Sequence, residues 1–320
     1  MDYRHLGRSG LRVSTISLGS WLTYGNVVDR ERGQQCIRRA YELGVNLFDT
    51  ADIYNRGAAE TELGEALKGI ERTSYVLATK VFWPMSDNVN DRGLSRKHII
   101  ESCEKSLRRL QTDYVDLYQC HRYDEETPLD ETLRALEDLV RQGKVLHLGV
   151  SEWAPGQIEA AVNYQEEHDF DRFISSQPQY SMLWRSIEKE IIPLCEREGI
   201  GQIVWSPLAQ GVLSGKYRKG EPPPADSRAA DPKVNGFIGG WLQDNVLDGV
   251  ERLRPIAAEA GMTMGQLALA WVLRQPNVSS AIVGATRPEQ VEENVAAADR
   301  KLSADVLEAI EDALSGAVRV

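Results

Sequence analysis

Short apolar runs recur along the chain at a nearly constant interval. They are TISL (15–18), VNLF (45–48), YVLA (75–78), YVDLY (114–118), VLHLGV (145–150), FISS (173–176), QIVW (202–205) and AIV (281–283). Their starts lie 30, 30, 39, 31, 28, 29 and 79 residues apart. Rich in β-branched and aromatic residues, they read as buried parallel strands. Between them the apolar positions follow helical spacing: Cys36, Ile37, Ala40, Tyr41 and Leu43; Ile99, Ile100, Cys103, Leu107 and Leu110; Leu133, Leu136 and Val140. Gly44 and Gly143 sit where helices end. Strands alternating with helices imply parallel pairing through right-handed crossovers. Eight such units predict an α/β fold, a closed (β/α)8 TIM barrel forming one domain over residues 1–320. An open doubly wound sheet is the weaker alternative, because no GxGxxG follows the first strand.

A barrel of this kind needs about 250 residues, and the chain has 320. The surplus falls mostly in the gap of 79 residues after the seventh strand, which is Gly/Pro-rich from Pro207 to Gly249 and contains PPP at 222–224. So long a loop in a compact domain is usually functional. Helical patterns resume at 250–260 and 264–274, and a last helix over 303–314 follows Ser303, a cap candidate. The start, YRHL-GRSG-LRVS, reads as a β-hairpin capping the bottom of the barrel. The tail SGAVRV reads as frayed.

Charge and composition remove several functions. The net charge is −11 and no Lys/Arg run is present, which argues against nucleic acid. Four cysteines without CxxC, and five histidines without HxxxH or HxH, supply neither a disulfide framework nor a metal site. No apolar run approaches the 18 residues of a membrane span, and the first residues lack a signal-peptide stretch. The expected location is the cytoplasm.

Barrel chemistry sits where strands end. The second strand delivers Asp49, with Tyr54 on the same loop; the third delivers Lys80 and the fourth His121. Singly, each has an ordinary structural explanation, as a helix cap, a rim charge or packing. Together they compose a proton donor. A phenol with a pKa near 10 is a poor acid at neutral pH. A neighbouring ammonium lowers that pKa, and a carboxylate fixes the ammonium. Asp49–Lys80–Tyr54 is such a relay, with His121 to orient a substrate oxygen. The set suits protonating a carbonyl oxygen while hydride reaches its carbon, and hydride requires a cofactor.

These segments resemble the aldo-keto reductases over essentially the whole chain. NLFDTADIY (46–54), VLATK (76–80) and DLYQCH (116–121) are similar to the segments carrying that family's Asp/Tyr/Lys/His tetrad. GVSEW (149–153), SSQPQYS (175–181), WSPLAQGVLSGKY (205–217) and VGATRPEQVEEN (283–294) are similar to its cofactor-binding segments. KVFWP (80–84), RGLSRKHIIES (92–102) and SLRRLQTDYVDL (106–117) resemble the branch of voltage-gated potassium channel beta subunits and their bacterial reductase relatives. The resemblance implies Tyr54 as proton donor, Asp49 and Lys80 as its partners, and His121 as substrate orienter. It implies NADPH/NADP+ as cofactor. Ser151 and Gln177 would hold the nicotinamide carboxamide, in the segment of Glu152, with Tyr180 or Trp205 as the flanking ring and Trp21 nearby. Ser206, Pro207, Leu208, Ala209, Gln210 and Lys216 would follow the pyrophosphate and ribose. Arg228 would cover the adenine, and Gly284, Thr286, Gln290, Glu293 and Asn294 would surround the adenosine.

Two departures qualify the likeness. Where many members carry a Lys-Ser pair and an Arg near the adenosine 2′-phosphate, this chain has Gly284, Ala285 and Gln290. Independent support for NADPH over NADH comes from residues 212–233, which hold Lys216, Arg218, Lys219, Arg228 and Lys233 against three acidic residues. Channel subunits commonly have Asn where His121 stands, and His121 completes the tetrad, which favours an enzyme with ordinary turnover.

The leading expectation is an NADPH-dependent reductase of small carbonyl compounds, with Trp21, Tyr24, Phe82 and Trp83 near the pocket rim. The alternatives are an NADP(H)-binding regulatory subunit with little turnover, and a Schiff-base aldolase using Lys80, which the neighbouring Asp49 disfavours. Relatives in this branch are often homo-oligomers, but no apolar stripe in the sequence marks an interface.

Overall fold

The computed structural model describes residues 1–21, 28–232 and 234–319. An antiparallel hairpin, β1 (Tyr3–His5) and β2 (Arg12–Ser14), opens the chain. Eight parallel strands follow: β3 (Ile16–Gly19), β4 (Leu47–Asp49), β5 (Val76–Val81), β6 (Val115–Cys120), β7 (Val145–Val150), β8 (Phe173–Ser176), β9 (Gly201–Val204) and β10 (Val278–Val283). They pair in chain order, and β10 closes on β3 to complete the barrel. The predicted runs are all present, shifted by a few residues. The β10 ladder begins three residues before AIV, and β5 continues through Lys80 to Val81.

Helices join successive strands: α1 (Arg30–Glu42), α2 (Ala58–Leu67), α3 (Arg96–Leu110), α4 (Leu129–Arg141), α5 (Pro155–Glu167) and α6 (Ile191–Glu198). After β9 come α7 (Asp244–Glu259) and α8 (Met264–Leu273), and after β10 come α9 (Pro288–Val295) and α10 (Ala304–Ala313). Local chemistry sets their ends. Asp29, Ser95 and Ser303 cap α1, α3 and α10 by accepting backbone N–H bonds. Gly44 and Gly143 leave α1 and α4 at φ 87 and 69, which costs glycine nothing. The apolar stripes read from the sequence face inward, since Cys36, Ile37, Ile99, Cys103, Leu133 and Leu136 are all buried between helices and barrel. Among the described residues no single helix is long and apolar enough to cross a membrane.

The hairpin plugs the end of the barrel opposite the strand carboxyl ends. Leu6 and Val13 pack with Leu47, Val76, Leu117 and Ile203 in a separate interior cluster. Gly7 makes the close approach possible: a Cβ there would stand 2.3 Å from the Gly199 carbonyl oxygen. As far as Arg319 the tail is docked rather than frayed, and Val320 lies outside the described residues. The Arg185 N–H donates to the Arg319 carbonyl, the Arg319 N–H donates to that of Leu183, and the Arg319 guanidinium lies 4.5 Å from the Trp241 ring centroid. These contacts link it to the segment between β8 and α6 and, through Trp241, to the long β9 loop, which the terminal sequence alone does not reveal. The long β9 loop forms short 3-10 turns at Ala209–Ser214, Asn235–Phe237 and Gly239–Trp241.

Candidate active site

Asp49 closes β4, Lys80 is the penultimate residue of β5, and His121 directly follows β6. Tyr54 begins a short turn in which Asn55 and Arg56 adopt left-handed backbone (φ 48 and 51) before Gly57, the residue preceding α2. Such a run of positive φ in non-glycine residues stores strain and turns the chain sharply at the mouth of the barrel. Lys80 is fully buried and Asp49 nearly so. The Lys80 ammonium donates to Asp49 Oδ2 at 2.6 Å, to the Thr50 carbonyl at 2.8 Å and to Tyr54 Oη at 3.3 Å. An ammonium has three N–H groups, so its donors are fully used. Since Tyr54 Oη accepts from Lys80, the phenol's own proton is left for another acceptor.

Asp49 is held from its second oxygen. Its Oδ1 accepts from Gln177 Nε2 at 2.9 Å and more weakly from Gln119 Nε2 at 3.5 Å. Gln177 Nε2 also approaches Gln119 Oε1 at 3.4 Å, and Ser151 Oγ donates to the Gln177 carbonyl at 2.8 Å. Gly149 lets this layer close, since a Cβ there would lie 2.1 Å from Ser175 Oγ. The His121 ring meets Tyr54 edge to face at 5.7 Å and Trp83 at 6.2 Å. Its Nδ1 is buried with no hydrogen-bond partner among the described residues.

Electrostatics revise one expectation. The net pKa of Tyr54 is raised, not lowered: desolvation by the surrounding walls pushes it up, and the Lys80 charge offsets only part of this. The phenol is therefore firmly protonated at neutral pH. Burial works against the Lys80 charge, but Asp49 and Tyr54 outweigh it, and its pKa is raised. Burial, with Lys80 and Arg122 nearby, pushes His121 well below its ordinary value, so the imidazole is neutral.

These residues open into one cleft of about 1010 Å³. Of the residues predicted for the site, Trp21, Asp49, Tyr54, Trp83, His121, Ser151, Gln177, Trp205, Ser206, Pro207, Leu208, Gln210, Lys216, Arg228, Gly284, Thr286, Gln290, Glu293 and Asn294 all line it. Lys80 stands behind the wall. Glu152 does not line the cleft; it accepts from Trp205 Nε1 at 2.7 Å and fixes that indole. Ala209 is buried beneath the loop. Of the two rings considered, Trp205 faces the cleft, whereas Tyr180 is buried against Trp271 and bonded to Glu188 and Arg274. Phe82 packs on the core behind Trp83. Tyr24 lies outside the described residues.

The basic segment divides. Lys216 and Arg228 line the cleft, but Arg218 pairs with Glu221 and Lys219 with Asp244 and Asp248 elsewhere on the surface; Lys233 lies outside the described residues. A local charge count cannot separate the two groups. Two cleft cations escaped the sequence reading. Arg287 immediately precedes α9 and faces Asp226 at 3.8 Å. Arg122 follows His121. Each adjoins a residue that the strand-end argument or the resemblance had singled out, and that adjacency was the available signal.

Whether a nucleotide fits can be judged from the donors. Desolvation lowers the Lys216 pKa, and Arg228 and Arg287 lower it further while Asp226 opposes them. Cations that destabilise one another in this way suit a polyanion. The loop before them has Ser206, Ala209, Gln210 and Gly211 at positive φ. Ala209, Gln210 and Gly211 are consecutive left-handed residues that turn the chain sharply at the cleft, and their N–H groups bond within the loop, to the Ser206 carbonyl, Ser206 Oγ and the Leu208 carbonyl. Arg228 donates to Gln210 Oε1, and Gln210 in turn donates to Ser206 Oγ, tying the loop together.

Comparison with known proteins places this geometry. A family profile described as "Aldo/keto reductase family" matches residues 15–315. A protein of Arabidopsis thaliana named "Probable voltage-gated potassium channel subunit beta" is 45% identical over 302 residues, covering 93% of this chain and 92% of the relative. A protein of the same name from Oryza sativa subsp. japonica is 44% identical over 302 residues, covering 93% and 92%.

Proposed function

The chain belongs to the aldo/keto reductase family, and from that premise and the geometry of the cleft we propose that it is an NADPH-dependent reductase of aldehydes and ketones with Tyr54 as general acid. The observation that carries this reading is the saturated Lys80 ammonium, which leaves the Tyr54 proton directed to an outside acceptor. When bound, NADPH supplies the hydride.

The chain's own residues do the rest. Neutral His121, which lines the cleft beside Tyr54, orients the carbonyl oxygen beside the Tyr54 hydroxyl. Tyr54 gives its proton to that oxygen as negative charge develops there. Lys80, held by Asp49, stabilises the phenolate left behind. Because the resting phenol has a raised pKa, the donor is fully loaded at pH 7. Only a strongly basic oxygen, such as a developing alkoxide, can take the proton. The same ammonium is unsuited to Schiff-base chemistry, being charged and fully bonded.

Gln177 commits its amide nitrogen to Asp49, since only that atom can donate to a carboxylate. Its amide oxygen is the atom offered to the nicotinamide carboxamide, in a cleft that Ser151 and Trp205 also line. The Ser206–Gln210 turn would take the pyrophosphate. Lys216, Arg228 and Arg287 would meet the 2′-phosphate, and Gln290, Glu293 and Asn294 the adenosine.

The test is NADPH oxidation with a carbonyl panel including 4-nitrobenzaldehyde and methylglyoxal. Sustained turnover supports the reading. The names of the relatives favour a second one, a regulatory subunit that holds NADP(H) without useful turnover. Tight cofactor retention with no turnover on any carbonyl would favour it instead.

A further inference from the structure

Among the described residues four cationic side chains line the cleft, and three of them, Lys216, Arg228 and Arg287, belong to the proposed nucleotide end. The fourth, Arg122, stands at the opposite end beside His121. Its role there is not used by the proton-transfer chemistry. Arg122 spends one N–H on the His121 carbonyl at 2.5 Å, and its guanidinium lies 5.7 Å from the Trp83 ring centroid. Neither contact neutralises it. No carboxylate lies within ion-pairing distance of Arg122 among the described residues, whereas the partly buried Arg109 and Arg72 are paired with Glu60 and Asp116. A guanidinium has five N–H donors in a planar fork, so most of this one remains available.

The surroundings favour an anion at this place. Asp49, the carboxylate of the catalytic end, is already neutralised by Lys80 at 2.6 Å. His121 is neutral because burial and the Lys80 and Arg122 charges suppress its protonation. The balance at this end of the cleft is therefore positive by one charge, in a chain whose net charge is −11. The rest of the mouth is aromatic. Trp83 holds one side, and Trp21 meets Trp205 and Phe237 edge to face at 5.8 and 5.0 Å. An apolar body between such walls would bring a terminal carboxylate to Arg122 while its carbonyl oxygen reaches Tyr54 and His121.

We infer that Arg122 selects carbonyl substrates carrying a carboxylate, so that the preferred substrates are oxo acids rather than neutral aldehydes. This rests on the reductase reading above. It is a statement about recognition, since a planar guanidinium pairs bidentately with a carboxylate and poorly with an ester.

The experiment compares matched pairs on the NADPH-loaded full-length protein: 4-carboxybenzaldehyde against methyl 4-formylbenzoate, and succinic semialdehyde against butanal. In at least one pair the acid is expected to have the higher kcat/KM by about tenfold or more, the worth of one charge-assisted contact. Arg122→Gln should bring that ratio close to one, and Arg122→Lys should keep part of it. Binding is read separately, by quenching of tryptophan fluorescence with benzoate and with benzamide. Benzoate should bind more tightly, and Arg122→Gln should remove the difference. If neutral carbonyls turn over as well as the acids in both pairs, or the ratio survives in a folded Arg122→Gln protein, the inference is overturned while the reductase reading stands. If no carbonyl turns over yet benzoate binds through Arg122, the anion site stands and the reductase reading fails.

Discussion

Lys80 has three N–H groups and three acceptors, and the third acceptor is the Tyr54 hydroxyl. Asp49 is the residue that makes this affordable, because a buried ammonium without a carboxylate would lose its proton. Lys80→Met should therefore do two separable things. It should leave Asp49 charged and unpaired, at a cost of about 3–5 kcal/mol in chemical denaturation. It should also remove the stabilisation of the phenolate and lower kcat. Adding Asp49→Asn should restore most of the stability and none of the activity; recovery of kcat in the double variant would contradict the role assigned to Lys80. The tetrad was legible in the sequence because each member stands at or just beyond a strand end. The direction of the Tyr54 pKa was not, because proximity to Lys80 can be read from motifs while desolvation depends on walls contributed by distant segments.

The β9 loop and the start of α9 meet across the cleft through Asp226 and Arg287. Neither element alone supplies the cluster of Lys216, Arg228 and Arg287, and no window of sequence contains all three. Arg287→Ala and Lys216→Met should each weaken NADPH binding by about tenfold or more, as expected for loss of a charge-assisted phosphate contact. NADH binding should change much less. Titration of both cofactors by fluorescence decides it, and equal losses for NADPH and NADH would remove these cations from the 2′-phosphate. The strands and most helices were legible from periodicity, because each has one buried face. The start of α7 at Asp244 and the docking of the tail on Arg185 and Trp241 were not. Both depend on partners far along the chain.

Barrel closure was legible by counting: eight strands need one more pairing, and β10 supplies it with β3. What counting could not show is a polar cluster that ties the site to the helical layer. Asp52 accepts from Ser102 Oγ on α3 at 2.7 Å, while Glu60 on α2 accepts from Thr79 Oγ1 and from Arg109 Nε, each at 2.6 Å. Burial, with Glu60 nearby, raises Asp52 from 3.8 to about 7, although Ser102 and Arg109 pull it down. Between those pH values the folded protein holds a proton that the unfolded chain has released. Stability should therefore fall as pH rises through this window and level off above it. The effect is a few kcal/mol at most, at about 1.4 kcal/mol per pKa unit. Asp52→Asn should flatten the dependence and raise Tm relative to wild type at pH 8, with the gap closing toward pH 4; a gap independent of pH would assign Asp52 no titration.

The most direct test of the whole account is rapid mixing of the NADPH-loaded protein with 4-nitrobenzaldehyde, following NADPH absorbance in wild type and Tyr54→Phe. Wild type should oxidise its cofactor and cycle. Tyr54→Phe should bind NADPH equally well and oxidise it about 10²–10⁴-fold more slowly, the usual worth of a positioned acid. Equal rates in the two proteins, or no oxidation by wild type with any carbonyl, would contradict it.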